Sequence, residues 1–186
     1  REFIYQIPEL LKTDKNPNPT ASMVPNGYLL MFGPNHAEEQ YRALENHKAC
    51  EAGTKNIKGS ELSKIFPYIN NEGIETATFT DNKTEGWIDP FMFHSALKSK
   101  ATELGTEFVK GNIKSLSEIK AKIIISAAGC WTKELLEDIP VEPQKHTVFR
   151  VKCPKHIPEM PLTGDLPSGV YWRPEGKEYL AGSPKS

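Results

Sequence analysis

Apolar and polar positions along this chain follow two periods, and the switches between them mark the expected elements. Residues 13–26 follow neither. Pro17, Pro19 and Pro25 stand there among Asn16, Asn18, Ser22 and Asn26, a composition that breaks helices and starts turns, so a loop is expected. Tyr28-Leu29-Leu30-Met31-Phe32, opened by Gly27 and closed by Gly33-Pro34, has the length and flanks of a strand buried on both faces. The next stretch reads as a helix, with Asn35 as its cap, Glu38 placed as in a capping box, Ala37, Tyr41 and Leu44 on one face, and Gly53 as its stop. A short helix over 60–65 ends before Pro67, and residues 74–80 alternate weakly, as a half-exposed strand does.

The clearest helix signal is Asp89-Pro90, a capping carboxylate followed by proline at the first helical position, where no N–H is needed. Phe93, Leu97, Ala101 and Leu104 form its expected inward stripe and Gly105 ends it. Thr106–Val109 is a candidate strand. Residues 122–129 make a stronger one, since consecutive isoleucines at 123–125 precede the small residues Ala127, Ala128 and Gly129; this run is expected to be an interior strand ending in a tight turn. Thr132–Glu137 reads as a short helix. Beyond it, Thr147–Lys152 and Val170–Arg173 alternate in period two with proline-rich connections, the pattern of antiparallel sheet. The whole is mixed α and β, without internal repeats.

Composition narrows the function. The 186 residues carry 23 Lys+Arg against 24 Asp+Glu, for a net charge of −1, which leaves no bulk attraction for nucleic acid or anionic membranes. No apolar run approaches the roughly 20 residues of a membrane span. Cys50, Cys130 and Cys153 are odd in number and far apart, which fits a reducing, intracellular setting better than a disulfide framework. The chain opens at Arg1 without initiator methionine or secretory pattern and ends just after an expected strand, so it reads as an excerpt of a longer protein.

Motif searches mostly exclude. No two of the 13 glycines are closer than five positions, so the chain lacks the G-x-G-x-x-G of dinucleotide folds. Gly164 and Gly169 have phosphate-loop spacing, but Val170-Tyr171 follows where Lys and Ser/Thr are required. His47 with Cys50 is a tight His/Cys pair, short of the four ligands of a structural zinc site, and no metal is expected. Cys130 reads as a small residue at a turn rather than a nucleophile. Asn82-Lys83-Thr84 fits the glycosylation pattern but has no secretory context.

Three segments go further. Glu85-Gly86-Trp87-Ile88-Asp89-Pro90 with its following helix, Ile123 to Trp131 through Ala127-Ala128-Gly129, and Gly169 to Gly176 followed by Tyr179-Leu180-Ala181-Gly182 resemble, in the same order, motifs of the D-amino-acid-oxidase-like FAD oxidoreductases. Asn26–Leu30, Phe66–Gly73 and Pro140–Lys145 resemble more closely the mitochondrial branch of that family that assists assembly of respiratory complex I. The resemblance implies the central part of a glutathione-reductase/D-amino-acid-oxidase-like FAD fold. Residues 1–80 would open the substrate or cap domain, 81–139 would return through the FAD-binding domain, and 140–186 would form the antiparallel sheet of the substrate domain. The N-terminal Gly-rich βαβ and the C-terminal part would lie outside this chain, and loops near 114–120 and 134–140 look short.

The resemblance also implies FAD as cofactor and oxidation of a small amine or amino acid, with complex I subunits or assembly intermediates as partners. A non-catalytic assembly factor on the same fold is the alternative. Ile113, Ala127, Ala128, Gly129 and Trp131 become the candidate cofactor contacts, the small residues because they let backbone approach the dinucleotide. Read without the resemblance, those small residues are a tight turn, and Trp87 and Trp131 are core. Tyr171 and Arg173 share one side of a period-two strand; Arg173 is a candidate for bidentate binding of a substrate carboxylate, or else a surface salt bridge. No catalytic base is evident.

Overall fold

The computed structural model describes residues 2–80 and 85–183; Asn82-Lys83-Thr84 lies outside them. The chain divides into two compact units, one of Arg1–Leu104 with His146–Ser186, the other of Gly105–Lys145. The first holds a sheet of seven strands: β1 (Tyr28–Phe32), β2 (Lys55–Lys58), β3 (Thr76–Thr80), β4 (Val148–Val151), β5 (Leu162–Asp165), β6 (Val170–Glu175) and β7 (Glu178–Gly182). Their order is β2-β3-β1-β5-β6-β7-β4. Every neighbouring pair is antiparallel except β1 with β5, where Leu30 pairs with Gly164 in parallel. The helices are α1 (Glu2–Leu10), α2 (Ala37–Ala49), α3 (Gly59–Ile65) and α4 (Pro90–Glu103).

Two apolar clusters hold this unit. On one sheet face Leu29, Met31, Ile57 and Ala77 meet Leu62 of α3 and Phe66 and Ile69 just beyond it, with Trp172 and Phe79 against them. Phe66 meets Phe79 edge-on, centroids 5.2 Å apart, an arrangement that places ring edge on ring face. The second cluster joins Ile7 and Leu11 to Ala21 and Ala96 of α4, with Ile4, Ile88 and Phe93 packed against it. Being central, β1 buries side chains on both faces, as its uninterrupted apolar sequence implies. No helix among the described residues is long and apolar enough to cross a membrane.

Asp89 caps α4 as expected, accepting from the Met92 N–H at 2.9 Å. Asp89→Ala is expected to cost about 1 kcal/mol, read as a lowered urea midpoint; an unchanged midpoint would remove the cap from the account. The helix ends at Gly105, whose φ of +94° suits glycine alone. Its inward residues are Ala96 and half-buried Phe93, however, while Leu97 and Leu104 are exposed. Ala96 is the buried member that α4 contributes to the second cluster, beside Ile7, Leu11 and Ala21.

The expected cap at Asn35 does not form. Pro34 opens a 3-10 turn over Pro34–His36, the Gly33 carbonyl accepts from the His36 N–H, and α2 begins at Ala37 without a side-chain cap. Its inward side is Ala43, Leu44 and His47, with Tyr41 exposed, and it stops at Ala49 before Glu51 takes a φ of +52°. The strand expected over 74–80 starts at Thr76 and is interior, with Ala77, Thr78 and Thr80 buried between two neighbours.

The larger corrections fall in the second unit. Residues 106–109 and 122–129 form no strand there, and Ile123 and Ile125 are 82% and 86% exposed. A strand is stabilised by ladder bonds to a neighbour, and this unit contains no other strand among the described residues. The helix expected at 132–137 is a 3-10 segment over Gly129–Glu134, begun earlier by Gly129 at φ +58°.

Tyr68 lies beside the first cluster, and burial, with a smaller contribution from Tyr179, pushes its pKa up to about 12. Below pH 10, its ordinary value, the hydroxyl is protonated in both states. Between there and about pH 12 only the unfolded chain ionises, so stability falls as pH rises. Tyr68→Phe is expected to flatten that alkaline slope; urea midpoints at pH 9 and at pH 11 in both proteins measure it, and an identical slope would overturn the assignment.

Candidate functional site

The sheet face opposite the Leu62 cluster carries the candidate site. Along β6 side chains alternate, so Trp172 points to the core cluster while Tyr171 and Arg173 stand together on the other face, as their spacing implies. Tyr171 pairs across the sheet with Gly164 on one side and Gly182 on the other. A Cβ at Gly182 would lie 2.5 Å from the Tyr171 hydroxyl oxygen and 2.9 Å from Cε1; the tyrosine ring occupies the room the glycine leaves. Because the far end of a movable side chain is what a methyl would meet, Gly182→Ala is expected to displace the Tyr171 ring while costing about 1 kcal/mol or less. Tyrosine ring NMR shifts with a denaturation curve test both parts; an unmoved ring would refute the cradle.

Arg173 is half-buried and held from several sides. Its Nη1 donates to the Pro174 carbonyl at 3.1 Å and pairs with the Glu175 carboxylate, and its guanidinium carbon sits 5.0 Å from the centre of the Trp87 ring. A cation over an indole face is attracted by the ring's negative face. Among the described residues Nη2 and Nε make no hydrogen bond, so two donor positions of the fork stay open to an acceptor. The salt bridge and the open fork thus coexist, and the two readings of Arg173 do not exclude each other.

Trp87 is positioned by backbone. The segment from Glu85 to Asp89 runs antiparallel to Ala21–Gly27: Gly27 N–H donates to Glu85 O at 3.0 Å, Val24 N–H to Trp87 O at 2.8 Å, and Asp89 N–H to Ala21 O at 2.8 Å. Gly86 permits this approach, since a Cβ there would lie 2.8 Å from Pro25 Cα. The same zipper delivers Asp89 to the start of α4. Between these parts is a cleft of about 290 Å³ lined by Ser22, Val24, Trp87, Asp89, Arg173 and Glu175, among others. Tyr28 shares the charge environment: burial first, then Glu85, raises its pKa, while Arg173 opposes them. It therefore remains a neutral hydroxyl at physiological pH.

The other sequence candidates lie in the second unit. Ile113 is an exposed residue of irregular chain. Ala127 is exposed, Ala128 half-buried, and Gly129 opens the 3-10 segment with nothing within 4 Å of where a Cβ would stand. Trp131 is 64% exposed, so within its unit it is not core. The adjoining Ser126 Oγ is buried without a hydrogen-bond partner among the described residues. Sequence reasoning grouped Tyr171 with Arg173 but missed Trp87 as the platform under Arg173, and missed Tyr28, Gly164 and Gly182. Only strand register reveals those neighbours.

Comparisons with known proteins show the family and the fold. The family model described as "DAO: FAD dependent oxidoreductase" matches residues 4–185. FAD-dependent oxidoreductase domain-containing protein 1 of Bos taurus is 27% identical over 224 residues, covering 94% of this chain and 46% of that protein. The Xenopus laevis protein of the same name is 26% identical, covering 97% and 46%. The chain thus spans about half the length of the curated relatives it matches. The bovine alignment runs over 224 residues, more than the 186 of this chain, so the relative has insertions within the matched span. Among solved structures, L-proline dehydrogenase from P. horikoshii superposes with a TM-score of 0.73 at 22% identity, over 97% of this chain and 52% of that one. Glycine oxidase from Geobacillus kaustophilus gives 0.67 at 14%, over 98% and 51%. Both share the fold.

Proposed function

Because the chain belongs to the DAO family of FAD-dependent oxidoreductases, we propose that it is part of an enzyme that oxidises the C–N bond of a small amine or amino acid. The observation that carries this reading is Arg173, held over Trp87 beside Tyr171 with part of its fork unpaired. FAD is the family's cofactor, and bound here it would supply the hydride-accepting chemistry that oxidation of a carbon bearing nitrogen needs. The residues of this chain supply position. Arg173 takes the substrate carboxylate through Nη2 and Nε, Glu175 and Trp87 fix the guanidinium plane, and the Tyr28 and Tyr171 hydroxyls bound the space around the amine. Ala127, Ala128, Gly129 and Trp131, with Ile113, are proposed to face the cofactor. Residues 1–80 and 140–186 serve the substrate side and 81–139 the cofactor side.

The test is anaerobic: amino acids and N-alkyl amino acids are added to the FAD-loaded protein and bleaching of the visible flavin band is followed. Bleaching by amines and not by the matching hydroxy acids is expected. Arg173→Leu is expected to raise KM for carboxylate-bearing amines about tenfold or more, the worth of one hydrogen bond to a charged group, with kcat little changed. Absence of bleaching by any amine would overturn the enzyme reading.

We further propose a mitochondrial location and a role in complex I assembly, supported by the resemblance of Asn26–Leu30, Phe66–Gly73 and Pro140–Lys145 to the mitochondrial branch of the family. Co-purification of complex I subunits with the tagged protein, undiminished by Arg173→Leu, is expected if that role is independent of turnover. Absence of those subunits would count against it.

A further inference from the structure

The sheet face turned away from Arg173 carries an apolar groove of about 530 Å³ that the proposed flavin chemistry leaves unused. Its size is that of a small-molecule site. Val170 and Trp172 of β6, Tyr179 and Ala181 of β7 and Val151 of β4 form one wall, and Tyr68, Ile69, Ile157 and Met160 face them. Ile69, Met160 and Tyr179 are buried, so the groove has a closed floor.

Its few polar groups are unequal. The Tyr179 hydroxyl is occupied, accepting from the Ile157 N–H at 2.7 Å and donating to the Lys155 carbonyl at 3.4 Å. The Tyr68 hydroxyl has no hydrogen-bond partner among the described residues. Burial keeps it neutral, with its pKa pushed up to about 12, so it remains a donor at neutral pH. Lys155 is the single charged residue lining the groove, and it makes no ion pair among the described residues. An apolar wall whose polar lining includes one lysine and one spare tyrosine hydroxyl asks for an apolar body with an anionic head; a peptide strand would leave its amides unpaired against that wall.

We propose that this groove binds an amphipathic carboxylate, its hydrocarbon lying on Trp172, Val170, Ile69 and Met160 and its head taken by the Lys155 ammonium and the Tyr68 hydroxyl. The site is independent of the flavin reading, and its test needs no flavin. Decanoate and decanol are the probes, and the readout is the rate at which iodoacetamide alkylates Cys153, which lines the groove, against Cys50, which is exposed elsewhere, each followed by peptide mass spectrometry. Decanoate is expected to slow alkylation of Cys153 saturably and leave Cys50 unchanged, with half-protection at about a tenfold lower concentration than decanol needs. Lys155→Ala, a change at an exposed position, is expected to erase the difference between the probes. Ala181→Leu is expected to abolish protection with the circular dichroism spectrum retained; should that variant misfold, the Lys155→Ala comparison decides alone. Unchanged Cys153 reactivity, equal slowing of Cys50, or decanol protecting as well as decanoate would overturn the proposal.

Discussion

Gly59→Ala is expected to lower the stability of the first unit by about 3 kcal/mol, the upper end for forcing a group into a filled space. Gly59 is buried at the first position of α3, where its N–H donates to Glu75 O at 2.7 Å and its carbonyl accepts from Asn71 Nδ2 at 2.9 Å. A Cβ there would come within 2.8 Å of the Ile74 carbonyl carbon and 2.9 Å of Glu75 O. Those atoms are backbone entering β3 and have no rotamer by which to yield, unlike the Tyr171 ring over Gly182. Relief would have to come from moving α3 off the sheet, which would pull Leu62 out of the main cluster and open the contacts of Phe66 and Ile69. Gly111→Ala is the control, since nothing lies within 4 Å of its Cβ position, and a change within about 0.5 kcal/mol is expected. Urea denaturation of both variants measures the contrast; equal midpoints would show that the backbone contact at Gly59 is relieved at no cost.

Legibility in the sequence depended on whether an element's partners are local. β1 and α4 were readable because their signals are self-contained: an apolar run between turn residues in one case, Asp89-Pro90 and Gly105 in the other. Asn35 misled because Pro34 supports a 3-10 turn as well as a first helical turn, and the turn that forms is closed by the His36 N–H on the Gly33 carbonyl. α1 went unread although Ile4, Ile7 and Leu11 have helical spacing, since Pro8 breaks the pattern from inside. β2 shows one buried residue, Ile57, among lysines and asparagine, and β5 is four residues with a glycine in it; both owe their existence to neighbours across the ladder. Residues 122–129 failed the opposite way, for their β-propensity is high but no partner strand lies in their unit. Within the site, Tyr171 and Arg173 followed from period two alone. Trp87 under Arg173 required the pairing of Glu85–Asp89 with Ala21–Gly27, which no local pattern announces.

FAD titrated into the 186-residue chain alone is expected to bind at least about a hundredfold more weakly than to a longer chain that adds a Gly-rich βαβ unit. In dinucleotide folds the pyrophosphate is held by N–H groups at a helix start behind closely spaced glycines. The glycines here are never closer than five positions, so none can form that turn. Two charge-assisted hydrogen bonds of about 1.5 kcal/mol each make up the hundredfold. What the chain offers in their place is a different kind of surface: the open main chain at Ala127–Gly129 and the exposed Trp131 ring. Under the proposed function such groups orient a flavin, but they give the phosphates no dipolar cradle. Flavin fluorescence quenching in the two chains measures the ratio directly. Ala128→Asp in the longer chain adds a second arm, since a carboxylate set against the dinucleotide would weaken binding there and leave the short chain unaffected. Tight, equal binding by both chains would mean that the 186 residues contain a phosphate site of another design, and that the cofactor contacts assigned to residues 127–131 are misplaced.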